Sequence, residues 1–436
     1  MGWREGRRAY SQQARRPGGP SGAWADPGSI AVSGGRLVEP AVLPAAAVSL
    51  VVALGFGLLG PVLPVYARSF GVAAWQVGLV ATAFAALRLV ADLPAGWLVE
   101  RLAAARAVAL GCLIVAVSSA AAGLAPTYEW LVALRGAGGI GSALFSTGLS
   151  AYLLAAVPRE RMGRAMSLFN GSFLAGSAFG PTVGGLAAGA LGLRGPFFLY
   201  AGFCTAAAAV ALALLRAPAG PMAPDTRARH DAEPQARATV QGVPLRLTPA
   251  LAAALASGFA QWWLLGGLRF TLVPLYASER LGLDPSEVGL GLTASALATL
   301  ALLAPAGYAA DRYGRRRVGV PAFVGLALAA AALLWAGDLA GYLAACTLFG
   351  VMAGAASVIP GALLADAVPR ERAGVAAGWQ QTASDLGNFV APVAVGLVAD
   401  LVDYPAAIGL AALPALLVAV LLAVTRAPRL LPAAAR

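Results

Sequence analysis

Between residues 41 and 428 the chain alternates long apolar stretches with short polar ones. A helix needs about 20 residues to cross a roughly 30 Å hydrocarbon layer. Twelve stretches reach that length: 43–66, 75–97, 107–125, 129–153, 165–190, 196–215, 249–276, 286–308, 318–336, 340–364, 375–400 and 405–425. They predict an all-α integral membrane protein of twelve transmembrane helices in two pseudo-symmetric six-helix bundles, 41–216 and 249–428. Residues 1–40 are rich in Gly, Pro and Arg and show no period. They read as a disordered cytoplasmic tail with no cleavable signal. Residues 217–248 carry Pro218, Pro221, Pro224 and Pro234 among few apolar positions, as expected of a cytoplasmic linker between the bundles. Residues 429–436 form a short second tail.

Composition agrees with burial in lipid. Hydrophobic residues make up 59% of the chain and charged residues 12%, with mean hydropathy +0.75. A soluble domain carries roughly 25% charged residues. The net charge of +11 could point to nucleic acid, but its distribution does not. All 31 basic residues are Arg, and 25 of them fall in the tails, the linker and the loops on one side. Only Arg68, Arg194 and Arg280 fall in loops on the other side, while Arg88, Arg135 and Arg269 lie within spans. This asymmetry puts both termini in the cytoplasm of a multi-pass plasma-membrane protein. Cys112, Cys204 and Cys346 sit singly in apolar runs and read as packing residues. His230 stands alone in the linker. No metal site or cofactor is expected.

The chain repeats itself. Residues 156–165 read AVPRERMGRA and residues 367–376 read AVPRERAGVA, an offset of 211. The same offset carries Thr82 onto Thr293, Pro94 onto Pro305, Gly96 onto Gly307, Arg101 onto Arg312 and Pro181 onto Pro392. Two homologous six-helix halves place a substrate site between them near the mid-plane, exposed to each side in turn.

After the eighth span the chain runs Gly307-Tyr-Ala-Ala-Asp311-Arg312-Tyr-Gly314-Arg315-Arg316. This resembles the signature loop of the major facilitator superfamily, G-x-x-x-D-R-x-G-R-R. The resemblance implies a conformational latch. Gly307 would admit a close helix approach, Asp311 would hold Arg side chains or face a helix N-terminus, and the arginines would anchor the loop. In the first half Gly96, Glu100 and Arg101 remain, but Ala103 and Ala104 replace the Gly-Arg pair, so the second copy is expected to carry more of the latch. In the fourth span Leu131, Arg135, Gly139 and Gly141 resemble the superfamily motif associated with proton coupling. The alternative for Arg135 is that it snorkels to the surface. In the fifth span Gly176, Gly180, Pro181, Gly184 and Gly185 resemble the motif that marks antiporters. Small residues four apart also serve plain helix packing. The first span, with Leu54, Gly55, Pro61, Val62, Leu63 and Pro64, is similar to that of the twelve-helix drug:proton antiporter family.

Charges inside spans are the best candidates for coupling. Asp385 lies well inside the eleventh span and either takes up a proton or pairs permanently with an Arg. Arg88 and Asp92 share a helix face, as an ion pair or as a relay. Phe56, Asn170, Gln261, Trp262, Arg269, Gln380, Gln381 and Asn388 are candidates to line the cavity. The first span has no acid, and with three embedded arginines this favours neutral or anionic organic substrates. The function expected is proton-coupled efflux of small organic molecules by a monomer in the bilayer, with small-molecule substrate and protons as its partners. Uptake by symport is the alternative. An enzyme would want clustered His, Asp or Cys, and a sensor a folded extra domain; neither pattern is present.

Overall fold

The computed structural model describes residues 42–157, 161–215, 247–368 and 372–424. These all fall within one compact unit. The expected tail at 1–40, the last residues 429–436 and nearly all of the 217–248 linker lie outside the described residues. Twelve helices are long and apolar enough to cross a membrane. In the first half they are α1 Val42–Arg68, α2 Ala74–Leu102, α3 Ala104–Gly123, α4 Tyr128–Ala156, α5 Met162–Leu191 and α6 Gly195–Leu214. In the second half they are α7 Pro249–Glu279, α8 Pro285–Tyr313, α9 Arg315–Trp335, α10 Leu339–Ala367, α11 Ala373–Leu401 and α12 Tyr404–Val424.

Hydropathy locates the spans but not their breaks. α1 loses its helical ladder over 59–62 and resumes at Leu63, as expected where Pro61 and Pro64 lack N–H donors. α10 breaks at Val358, ahead of Pro360. α7 widens into a π-helix over Leu264–Leu272.

Packing repeats with the sequence. In the first half α1 lies on α5 and α6, α2 on α4, and α3 on α4 and α6; in the second, α7 lies on α11 and α12, α8 on α10, and α9 on α10 and α12. The halves meet through two equivalent seams, α2 with α11 and α5 with α8. Both seams rest on backbone contact. A Cβ on Gly78 would strike the carbonyl of Pro392, and one on Gly289, its repeat equivalent, the carbonyl of Pro181. Gly396 meets Ala74 and Gly185 meets Pro285 in the same relation. Thr82 donates to the Phe389 carbonyl at 2.7 Å, and its equivalent Thr293 bonds Thr182 at 2.8 Å.

Every hydrogen bond between the halves among the described residues lies toward the Arg-poor ends of these helices. One of them joins Arg68 Nε to Glu279 Oε1 at 2.7 Å, across a sequence separation of 211. Tyr404 donates to the other oxygen of Glu279 at 2.7 Å. Toward the Arg-rich ends, Gly96 on α2, Gly171 on α5, Gly307 on α8 and Gly378 on α11 have nothing within contact range of a Cβ. The halves therefore close at one end and part at the other, leaving a cleft that opens toward the Arg-rich loops.

Candidate functional site

The cleft wall between α2 and α11 gathers three embedded charges. Arg88 and Asp92 are exposed on α2, and Asp385 is half-buried on α11. All three interact electrostatically across the seam. Gln381, one turn before Asp385, donates to its Oδ1 at 2.9 Å. Arg88 forms no direct ion pair among the described residues. The expected Arg88–Asp92 ion pair is thus replaced by one cation shared at longer range between two carboxylates from different halves.

The cleft ends at an aromatic floor. The Phe56 ring on α1 lies 6.2 Å from Phe84 on α2 and 6.3 Å, edge-on, from Phe270 on α7. Asn170 and Trp262 are exposed and Gln261 is half-buried. Gln380 and Asn388 do otherwise. The Gln380 amide packs against Gly258 and Ser384, and Asn388 Oδ1 against Gly266, so both face α7. On a helix packed along its whole length, hydropathy does not say which polar groups turn inward.

Arg135 and Arg269 also leave the cleft. Arg135 is 4% exposed, so it does not snorkel. Its guanidinium sits 5.0 Å from the Phe84 ring, with Tyr200 and Cys204 of α6 as electrostatic neighbours and no acid. Its Nε and Nη1 have no hydrogen-bond partner. The sequence makes Arg269 a candidate for the cavity lining. Instead it lies inside the second bundle, beside Tyr342 and Cys346, and donates to the Leu292 carbonyl at 3.0 Å. The π-helix accounts for the error, because its wider turn shifts the facing of Arg269 and Phe270 away from that of a regular helix. Arg88 is then the one embedded arginine at the cleft, opposed by two carboxylates, and the argument for anionic substrates from three arginines falls away.

The two copies of the loop motif differ. Arg315 bonds Asp311 on α8 at 2.5 Å and reaches Asp366 on α10 at 3.3 Å. It also donates to the Ala310 carbonyl at 3.0 Å, while Arg316 bonds the Ala423 carbonyl on α12. Arg312 donates to the Tyr308 hydroxyl at 2.9 Å. Gly314 turns the chain with φ +95°. In the first half Glu100 forms no ion pair among the described residues, and Arg101 stacks 3.8 Å over Trp97. Ala103 holds the equivalent turn at φ +64°, which is strained for a residue with a Cβ. Gly307 and Gly96, expected at a close helix approach, touch nothing in this conformation.

The Gly-Pro motif of α5 works on two sides. Gly176, Gly180 and Gly184 press onto the α1 backbone at Leu50, Gly57 and Leu58, while Pro181 and Gly185 press onto α8. The motif fixes α5 within its own half and against the other half at once. Its remnant in α11 keeps the pattern: Gly387 on α7, Pro392 and Gly396 on α2.

Residues 45–279 and 254–435 match the Major Facilitator Superfamily. This chain belongs to that superfamily. Its members are transporters and not enzymes, and the twelve apolar helices make this a multi-pass membrane protein. It is 24% identical over 357 residues to multidrug resistance protein 2 of Bacillus subtilis, covering 81% of this chain and 87% of that protein. It is 24% identical over 241 residues to the quinolone resistance protein NorA of Staphylococcus aureus, covering 55% and 59%. An uncharacterized MFS-type transporter of Methanocaldococcus jannaschii is 30% identical over 157 residues, covering 36% and 40%. The chain spans less than two thirds of the length of the last two. A bacterial homologue of the human lysosomal transporter Spinster, in an inward-facing and occupied conformation, shares the fold with TM-score 0.68 at 13% identity, covering 88% of this chain and 94% of that one. So does the peptide transporter POT in complex with sulfate, with TM-score 0.68 at 14% identity, covering 88% and 93%.

Proposed function

We propose that this protein is a proton-coupled secondary transporter of the plasma membrane that exports small organic molecules by alternating access. The observation that carries this reading is the Arg88–Asp92–Asp385 cluster spanning the α2–α11 seam at the cleft. Export is favoured by the multidrug and quinolone resistance relatives and by the two-sided Gly-Pro motif of α5. The weight of Arg on one side supports a cytoplasmic position for the termini and the open end of the cleft.

The chemistry follows from sharing one cation between two acids. With both carboxylates ionised, the cluster holds a net negative charge in a low-dielectric wall, where such charge is costly. A proton on Asp385 neutralises the excess and leaves Arg88 to Asp92 on its own helix. The electrostatic tie between α2 and α11 then weakens, and the halves are free to rock. Phe56, Trp262, Asn170, Gln261 and Gln381 offer the substrate an aromatic surface with a few polar contacts. The closed Arg-poor end, with the bent α5 packed on both α1 and α8, prevents leakage. At about 100 mV one charge moved inward is worth about 2.3 kcal/mol, enough for a gradient near fifty-fold.

The test is efflux of a compound panel, quinolones included, from proteoliposomes with an imposed pH gradient. Asp385→Asn should abolish gradient-driven transport while leaving the protein folded and able to bind substrate. Wild-type pH dependence in that variant removes Asp385 from the mechanism. Transport that continues unchanged when the gradient is collapsed removes proton coupling.

A further inference from the structure

The cluster of Arg88, Asp92 and Asp385 stands on one of two equivalent seams, and its counterparts on the other seam carry no charge. The offset of 211 aligns Leu174 on α5 with Asp385, Leu303 on α8 with Asp92 and Thr299 on α8 with Arg88. The Thr299 hydroxyl is already spent on the carbonyls of Ser295 and Gly350, at 2.9 and 3.0 Å. Asn170 aligns with Gln381. Gln381 gives its amide to Asp385, whereas Asn170, one turn before Leu174, makes no side-chain hydrogen bond among the described residues.

These residues lie where the α5–α8 seam opens. The two helices are held together where Gly185 meets Pro285, where Gly289 meets Pro181, and by the Thr182–Thr293 bond. Leu174 precedes Gly185 by about three turns and Leu303 follows Gly289 by about four, so both leucines stay on the faces by which the helices meet. Leu174 lies about 12 Å along α5 from Thr182, and Leu303 about 15 Å along α8 from Thr293. Both are displaced toward the Arg-rich end, where Gly171 and Gly307 have no neighbour. Leu174 is 36% exposed and Leu303 is half-buried. Two leucines and one unspent amide thus front the cleft on the wall opposite the charges. Sites for organic molecules are built this way, mostly apolar with a few polar groups.

Resting on the reading of a proton-coupled exporter, we infer that Leu174 and Leu303, with the Asn170 amide, are the substrate-selecting wall of the cleft and take the apolar end of an amphipathic molecule. Such an end gains by covering side chains that otherwise face water. The proton-binding carboxylates and the apolar contacts then stand on different seams. Selection belongs to α5 and α8, coupling belongs to α2 and α11, and the two communicate only through the rocking of the halves.

The experiment uses the full-length protein in nanodiscs, with no gradient, and a matched pair of quinolones bearing a methyl or a butyl group on the same ring nitrogen. Affinity is read from the fluorescence anisotropy of the quinolone. The wild type should bind the butyl compound about tenfold more tightly. Leu174→Ala and Leu303→Ala should each cut that ratio to about twofold, chiefly by weakening the butyl compound. Leu174→Met, an apolar side chain of similar volume, should restore it. Asp385→Asn alters the opposite wall and should keep the ratio. A wild type without preference, a ratio unchanged in either alanine variant, a ratio still low in Leu174→Met or a ratio lost in Asp385→Asn overturns the assignment. If one alanine variant does not fold, the other decides together with Leu174→Met. Binding is read without a gradient, so a failure of proton coupling in the vesicle assay leaves this ratio standing. A missing ratio beside intact coupling strikes the wall alone.

Discussion

The two halves each turn one guanidinium toward their interior, but they deliver it from different helices. In the first half it is Arg135 on α4; in the second it is Arg269 on α7. The 211-residue repeat sets Cys346 opposite Arg135 and the fully buried Leu58 opposite Arg269. Yet Arg269 reaches the neighbourhood of Cys346, close to the spot that Arg135 holds in its own bundle. Each cation also lies near a Tyr and a Cys spaced four apart on one helix, Tyr200 with Cys204 and Tyr342 with Cys346. The bundle thus conserves the place of the charge and not its source. The loops at the Arg-rich end show the opposite relation: there the backbone course is kept and the side-chain network survives in one half only.

That contrast can be broken most decisively at the loops. Arg315→Ala removes two carboxylate contacts and a carbonyl bond that join α8, α9 and α10. It should slow turnover about tenfold in a reconstituted transport assay, on the basis of about 1–2 kcal/mol for a partly exposed network. The first half has Ala104 at the position of Arg315, and Arg101→Ala, in the same loop, gives up only a stacking contact and should change turnover less than about twofold. Equal slowing in the two variants would mean that the halves latch alike.

A smaller effect separates the helix caps at the Arg-poor end. α8 is capped by its own Asp284, which accepts from the Ser286 and Glu287 amides. α2 begins after Ala73, which has no capping oxygen. Its Ala74 and Trp75 amides are bound instead by Asp400 of α11, at 2.9 and 2.8 Å. One cap is local and the other is made between halves. Asp400→Ala should therefore shift the balance between conformations, by about fivefold for a cap of about 1 kcal/mol. Asp284→Ala should lower thermal stability without moving that balance. Spin-label distances between the Arg-poor ends of α2 and α11 read the difference, and a shift in both variants would dissolve the distinction.

The smallest expected effect is at the strained turn. Ala103→Gly should stabilise the protein by about 0.5–1 kcal/mol, seen as a higher midpoint of thermal unfolding, because glycine reaches positive φ without steric cost. Gly314→Ala should lower it. If Ala103→Gly were destabilising, the turn would owe more to the methyl packing of Ala103 than to its backbone.

Most of the architecture was legible in the sequence because hydropathy and a constant offset are strong signals. The α2–α11 and α5–α8 seams follow from the same repeat, since Gly78, Gly289, Pro181 and Pro392 occupy matched positions. The site was legible in part. Arg88, Asp92 and Asp385 come together because all three are charges inside spans that line the seams. Gln380, Asn388 and Arg269 went astray for a rotational reason. Every helix here is apolar on most sides, so a polar residue can turn toward cleft, lipid or bundle with little trace in the local pattern. A π-turn then alters the rotation of all that follows it. Asp400 and Glu279 escaped notice because their partners lie hundreds of residues away, at helix ends where acids are ordinary.

The Arg68–Glu279 bridge carries a lesson about history. Its two residues occupy the same position in the two repeats, so the bridge sits where the molecule's internal two-fold axis passes. In a dimer of identical chains, a residue at such a point faces its own copy, and arginine would meet arginine. Opposite charges can stand there only when the two copies are encoded separately along one chain. The bridge is therefore younger than the duplication, a contact that an ancestral pair of six-helix subunits could not have made and that became possible once the halves were free to differ.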